Sequence, residues 1–518
     1  MSVALERGPA QRKFRFTFEP LECAGIKRVW CMKRAFGSLV LCAVCLAWPG
    51  YGVAQTAALG GANRATWGVA PAMPVAGAPL PAAAQAQIDA LRISQVPPAQ
   101  LVREMDAQRR QASQIADPTQ REAALKAWQR AMSDLEREAA TRSLLRDLYS
   151  SDQPREQMTW FWFNQFNVHA QKRDIRAMVG DYEDTIRAHA LGHFRDLLEA
   201  TLRHPAMLRY LDNDQNAVGR INENYAREIM ELHTLGVGAG YTQKDVQELA
   251  RILTGVGIRL DPDAPRLRPE WQALYQRQGL FEFNPARHDF GVKQFMGHTI
   301  AGSGYGEVSQ ALDIIANSPI TARRMSTRIA TYYMGDAPPG AVVDRMVAAW
   351  QRSRGDIATV LQAMTTSPEY AASPGRAFKD PMHYVVSAVR MAYGAGGDGR
   401  TILNVDPMLG WLRRMGETPY GHETPDGYAL GAGAWTAPGQ MAIRFEIAKA
   451  IGNGSAGLFR PRGEGVSDRP AFPQLQNALW YGGLGSSFSP QTRGVLDQAG
   501  SPQEWNMLLL SSPDFMRR

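Results

Sequence analysis

Cysteine is almost missing from this chain: four in 518 residues, Cys23, Cys31, Cys42 and Cys45, all inside the first 45. If that segment is a leader that is cut away, the product has no thiol, which excludes disulfides, zinc–thiolate sites and a cysteine nucleophile. A thiol-free product is compatible with an oxidising compartment. No apolar run reaches the roughly 20 residues needed to cross a bilayer. Alternating apolar and polar residues, the mark of strands, are scarce, although Phe281-Glu282-Phe283 fits a short extended piece. There is no Gly-x-Ser-x-Gly; Asn453-Gly454-Ser455-Ala456-Gly457 misses its first glycine. No glycine period occurs and aromatics make up 9%, so collagen-like and wholly disordered chains are excluded. Excess charge is also largely missing once the first segment is set aside. The formal net charge is +7, but residues 1–54 hold eight basic and three acidic side chains, which leaves +2 for the rest. A nucleic-acid-binding body carries its basic excess on the fold, so nucleic acid is not an expected partner.

What is present begins with that leader. Met32-Lys33-Arg34 precedes a largely apolar run over 35–48, then Pro49-Gly50-Tyr51-Gly52-Val53-Ala54. A basic flank, a short apolar stretch and small residues at −3 and −1 predict a signal peptide cleaved near Ala54. Val44 before Cys45 disfavours a lipoprotein, and the long stretch ahead of Met32 makes Met32 an alternative start. The expected location is periplasmic or secreted, with no stable membrane span after cleavage.

Residues 55–98 are rich in Ala, Pro and Gly and read first as a linker. Helix-favouring composition follows over 98–149, and apolar residues recur at helical spacing in 187–198, 243–253, 310–316, 357–364 and 381–391. Ser318-Pro319, Ser367-Pro368, Ser501-Pro502 and Ser512-Pro513 have the chemistry of helix starts, a serine cap before proline at the first helical position. The expected fold is mainly α: one large multi-helix domain over 55–518, with room for two helical lobes and little or no sheet.

The densest chemistry lies in 222–236. On a regular helix Asn224, Arg227, Glu228 and Glu231 form one polar stripe. Two readings stay open there: a site that holds a cation or moves a proton, or an ion-pair network that locks helices together. Gly236-Val237-Gly238-Ala239-Gly240 follows a helix and lacks the closing Lys-Ser/Thr of a phosphate loop. Gly236 is expected to end one helix, and Thr242, with Asp245 three residues on, to start the next. His189 and His193 have metal-ligand spacing if one helix carries both, though no third ligand is evident nearby. His288-Asp289 reads as an acid/base pair or a turn. The aromatic block 160–166 reads as core, and the loop from Thr424 through Trp435, with Arg444 beyond it, reads as a segment able to close over a ligand.

These stretches resemble the domain-of-unknown-function family 1800, exported bacterial proteins. The matching residues are Asn63-Arg64-Ala65-Thr66-Trp67-Gly68, Met158-Thr159-Trp160-Phe161-Trp162, Ile186 through Gly192, His204-Pro205-Ala206-Met207-Leu208, the 222–236 motif, His288-Asp289-Phe290-Gly291 and Ser367-Pro368-Glu369-Tyr370. The resemblance implies that 55–98 opens the domain. His193 stands where the family usually has Asn, and Phe163 and Gln165 where His is common. Phe445-Glu446 replaces an Asn-rich run. The resemblance also implies a helical exported protein whose gene often lies beside one for an exported protein resembling alkaline phosphatases or sulfatases, an expected partner. It supplies no reaction and no cofactor. Two functions are therefore expected. One is a binding or accessory protein with a cleft formed by Asn224, Arg227, Glu228, Glu231 and the Trp435 loop, with His189 and Arg444 as further ligand contacts. The alternative is a hydrolase-like enzyme with Glu228 or Glu231 as general base and His233 or the His288-Asp289 pair beside it.

Overall fold

The computed structural model describes residues 61–394, 401–461 and 472–518. The predicted leader, its cysteines and the cleavage point near Ala54 lie outside the described residues. Among the described residues, Pro, Ser and Asp punctuation starts many of the helices. The helices include α1 (Ala82–Asp89), α2 (Pro98–Gln114), α3 (Pro118–Tyr149), α4 (Gln153–Gln165), α5 (Val179–His189), α6 (Phe194–Arg203) and α7 (Asn224–Glu228). They continue with α8 (Gln243–Ile252), α9 (Tyr305–Ala316), α10 (Pro319–Met334), α11 (Gly340–Ser353), α12 (Ile357–Thr365), α13 (Pro381–Tyr393), α14 (Pro438–Gly452) and α15 (Pro502–Ser511).

The expected caps form. Ser318 accepts from the Ile320 N–H, Ser367 from Tyr370 and Ser501 from Glu504. Ser512 differs: its hydroxyl accepts from the Phe515 N–H, but the segment is a turn that runs into the Phe378–Arg517 bridge. The helix expected over 187–198 is split. α5 stops at His189, and α6 begins at Phe194 after the Phe194 N–H bonds the Gly355 carbonyl.

The fold is mainly α. Two small antiparallel sheets interrupt it: β1 (Val256–Ile258), β2 (Gln276–Gln278) and β3 (Phe281–Phe283) in the order β1-β3-β2, and the hairpin β4 (Lys293–Phe295) with β5 (His298–Ile300). β3 is the predicted Phe-Glu-Phe piece, central in its sheet and buried throughout.

Buried apolar side chains from Trp67 to Met516 join in one core. The aromatic block of α4 lies in it, with Trp162 between Phe161, Phe166 and Phe194. The 55–98 region is no mere linker. Trp67 is wholly buried against His383, and Arg64 donates to the Tyr370 carbonyl at 2.5 Å. Arg390 of α13 binds this N-terminal stretch to α3, through the carbonyls of Gly68 (3.2 Å), Asp147 (3.1 Å) and Leu148 (2.5 Å). At Gly68, φ is +105° and a Cβ would stand 2.6 Å from that of Ser387, so glycine is required for the approach.

Candidate ligand-binding sites

The polar stripe does not sit on one regular helix. α7 gives way at Ile229 to a π-helical turn, Ile229–His233. Three side chains hold that turn open: the Thr234 hydroxyl donates to the Ile229 carbonyl (2.5 Å), Gln165 to Leu232 and His233 (2.8 and 3.2 Å), and Arg324 of α10 to Leu232 and Thr234 (2.6 and 3.3 Å). Such turns recur at functional sites. Gly236 closes the turn at φ +104°, with Arg324 packed on it. Thr242 and Asp245 then form the expected capping box of α8.

Part of the stripe is an ion-pair ladder. Arg227 reaches Glu223 at 3.1 Å and Glu231 at 3.3 Å, and Gln243 accepts from it at 3.0 Å. Asn224 is exposed and donates to the Leu211 carbonyl. Glu228 is different. It is half-buried and makes no hydrogen bond or ion pair with the described residues. Burial, then the neighbouring Glu231, pushes its carboxyl above the usual range; Asp426 adds to this and Arg227 opposes it.

The histidines do not join these carboxylates. His233 is 1% exposed, edge-on to Phe166, and its Nε2 has no hydrogen-bond partner. Burial, with Arg324 and Arg328 close by, lowers its pKa to about 3. His288 and Asp289 are adjacent but diverge. His288 lies with Nδ1 2.8 Å from the Thr254 carbonyl and Nε2 2.9 Å from Glu307, whose other oxygen meets Lys293, all sealed from solvent. Asp289 takes a two-point contact from Arg251, 2.8 and 3.1 Å. The two side chains do not meet as an acid/base pair: each has its own partner, and Asp289 Oδ1 accepts from the Gly291 N–H at 2.8 Å, the turn that was the other reading.

His189 and His193 are likewise separated. His189 ends α5 with Nδ1 on the Thr185 carbonyl, whereas His193 precedes α6 and faces the Arg354 carbonyl. No group of three or more His, Cys, Asp or Glu is placed to hold a metal among the described residues. Trp435 turns inward, its indole N–H on the Ala429 carbonyl at 2.9 Å. Arg444 is wholly buried between Phe378 and Tyr384 and donates to the Lys379 carbonyl. Neither side chain reaches out toward the 222–236 stripe, because apolar and aromatic surface draws both into the interior.

His189 does line a cleft, of about 860 Å3, between α5, α6, the start of α2 and the β2–β3 turn. Its acids differ in how fully they are engaged. Asp184 is paired with Arg142 and Arg146, and Glu199 with Arg195 and the Tyr305 hydroxyl. Asp181 accepts from His204 Nε2 at 3.1 Å; the ring's Nδ1 takes the Ala206 N–H, so Nε2 carries the proton. Asp196, in the first turn of α6, is exposed, and its carboxylate makes no hydrogen bond or ion pair with the described residues.

Sequence reasoning passed over the cleft acids, and also Arg324 and Arg328. The signal for the arginines was available: α10 carries Arg323, Arg324 and Arg328 and not one acid. Among the described residues, no helix is long and apolar enough to cross a membrane.

One family model matches, described as Protein of unknown function (DUF1800), over residues 61–517. No curated protein and no solved structure matches.

Proposed function

We propose that this chain, which belongs to the DUF1800 family, is an exported binding or accessory protein whose ligand sits in the cleft beside His189. The cleft carries the reading: about 860 Å3 is the size of a small-molecule site. Its uncommitted acid, Asp196, and the Asp181–His204 pair suit a ligand with cationic or hydroxyl groups. The basic and apolar pattern of 32–54 supports export, and the family resemblance supports an alkaline-phosphatase- or sulfatase-like partner. A thermal-shift screen of polyamines and sugars tests the ligand. A hit that raises the wild-type midpoint and fails in Asp196→Asn supports it; equal responses in both proteins would sink it. Co-expression with the neighbouring exported protein tests the partner, and repeated failure to co-purify counts against that half.

A hydrolase-like reading rests on Glu228, a half-buried carboxyl with a raised pKa, the property of a general acid. Hydrolysis of chromogenic esters that disappears in Glu228→Gln, in a variant that melts no lower than wild type, would favour it. Glu228→Gln should also separate the roles by pH. The folded carboxyl keeps its proton to higher pH than the unfolded one, so ionisation weakens the fold as pH rises past the ordinary carboxylate range. The variant should therefore melt higher than wild type at pH 7 and together with it at pH 4.

A further inference from the structure

Helix α10 presents three arginines, and their fates differ. Arg323 pairs with Asp344 at 2.8 Å, and Arg324 uses Nη1 to cap the π turn. Arg328, one turn further on, makes no hydrogen bond or ion pair with any described residue, and its Nε is buried without a partner. The acid that acts on it is Asp426, which stands outside ion-pair distance and already accepts from the Thr424 hydroxyl at 2.5 Å. Behind the arginines lies His233, 1% exposed, with Nε2 unpartnered. Gln165 Oε1 is a third buried polar atom left without a partner at the same turn.

A half-buried guanidinium with no ion pair among the described residues is costly, and orphaned buried polar atoms beside it add to the cost. Burial and the Arg324 charge together lower the Arg328 pKa to about 10. An anion would supply the missing counter-charge and accept from the guanidinium, and from His233 Nε2 where that nitrogen carries the proton; the acceptor Gln165 Oε1 would gain nothing from it. A guanidinium is the side chain best shaped to take two oxygens.

We propose that Arg328, backed by Arg324 and His233, is an oxyanion site that receives the carboxylate or phosphate group of a ligand. The site is separate from the His189 cleft and does not depend on it. Asp426, 60% exposed on its loop, competes from the side for the same guanidinium.

The test is thermal unfolding and calorimetric titration of the whole protein with sodium acetate and with inorganic phosphate, against chloride at equal ionic strength. Wild type should bind at least one of the two anions and melt higher in it than in chloride. Arg328→Gln should weaken that binding at least tenfold. Asp426→Asn, at an exposed loop position, should tighten it several-fold. The anion with the larger effect identifies the group, acetate for a carboxylate and phosphate for a phosphoryl ligand. No gain over chloride for either anion in wild type, or equal binding in Arg328→Gln, overturns the proposal. Should Arg328→Gln not fold, the Asp426→Asn titration decides: tighter binding supports the site, and unchanged binding overturns it.

Discussion

His233 shows how one side chain can tie pH to stability. Burial first, then Arg324 and Arg328, holds it neutral in the folded protein, with a pKa of about 3 against an ordinary value of 6.5. The unfolded chain therefore binds a proton that the folded one refuses, throughout the interval between those values. The stabilisation is complete above pH 6.5 and is lost as pH falls toward 3. His233→Gln should flatten the acid limb of the melting profile between pH 6.5 and 4. A variant as acid-sensitive as wild type would show that other groups set the limb, such as His383, which is buried and held to about 4. None of this was visible in the sequence, where His233 was read as a partner for the Glu228 or Glu231 carboxylate. Spacing tells which residues share a face but not how deep that face lies.

At the scale of the element, caps were the most legible feature. Ser-Pro pairs and Thr242 with Asp245 are local chemistry, satisfied within four residues, so reading them needs no knowledge of the fold. The π turn was not legible, because Gln165 and Arg324, remote in sequence, hold its carbonyls. The same distance explains His288 and Asp289: their partners, Glu307 and Arg251, lie 19 and 38 residues away. Gly236 joins the local and the remote. It needs φ +104°, and a Cβ there would press to 3.1 Å from the Arg324 side chain. Gly236→Ala should cost about 1–2 kcal/mol from the left-handed backbone alone, measured by denaturant unfolding. It should also loosen the π turn, seen as faster amide exchange at Thr234 and Gly236.

Across the whole molecule, the mainly helical class was legible from composition and spacing, and the small sheets were seen only as one Phe-Glu-Phe piece. The assembly of distant polar groups was not. Glu307 holds His288, Lys293 and the backbone N–H groups of Ser303 and Gly304 in a sealed network between α9 and the β4 strand. Glu307→Gln leaves the Lys293 charge buried and unpaired and should cost about 3–5 kcal/mol. Urea unfolding would show it, and a change within about 0.5 kcal/mol would mean that water reaches the lysine.

The Trp67 stretch has a further consequence. Residues 61–70 are anchored by Arg64, Trp67 and Arg390, yet the following stretch is loosely held, with Val75 77% exposed. A protease should cut within 73–79 and leave the severed piece docked, much as a bound peptide occupies its receptor. Nicked protein should run as two bands in denaturing gels and as one particle on a sizing column. The covalent bond between the two pieces would then be dispensable, and a synthetic 61–72 peptide should re-form the particle after the native piece is stripped away.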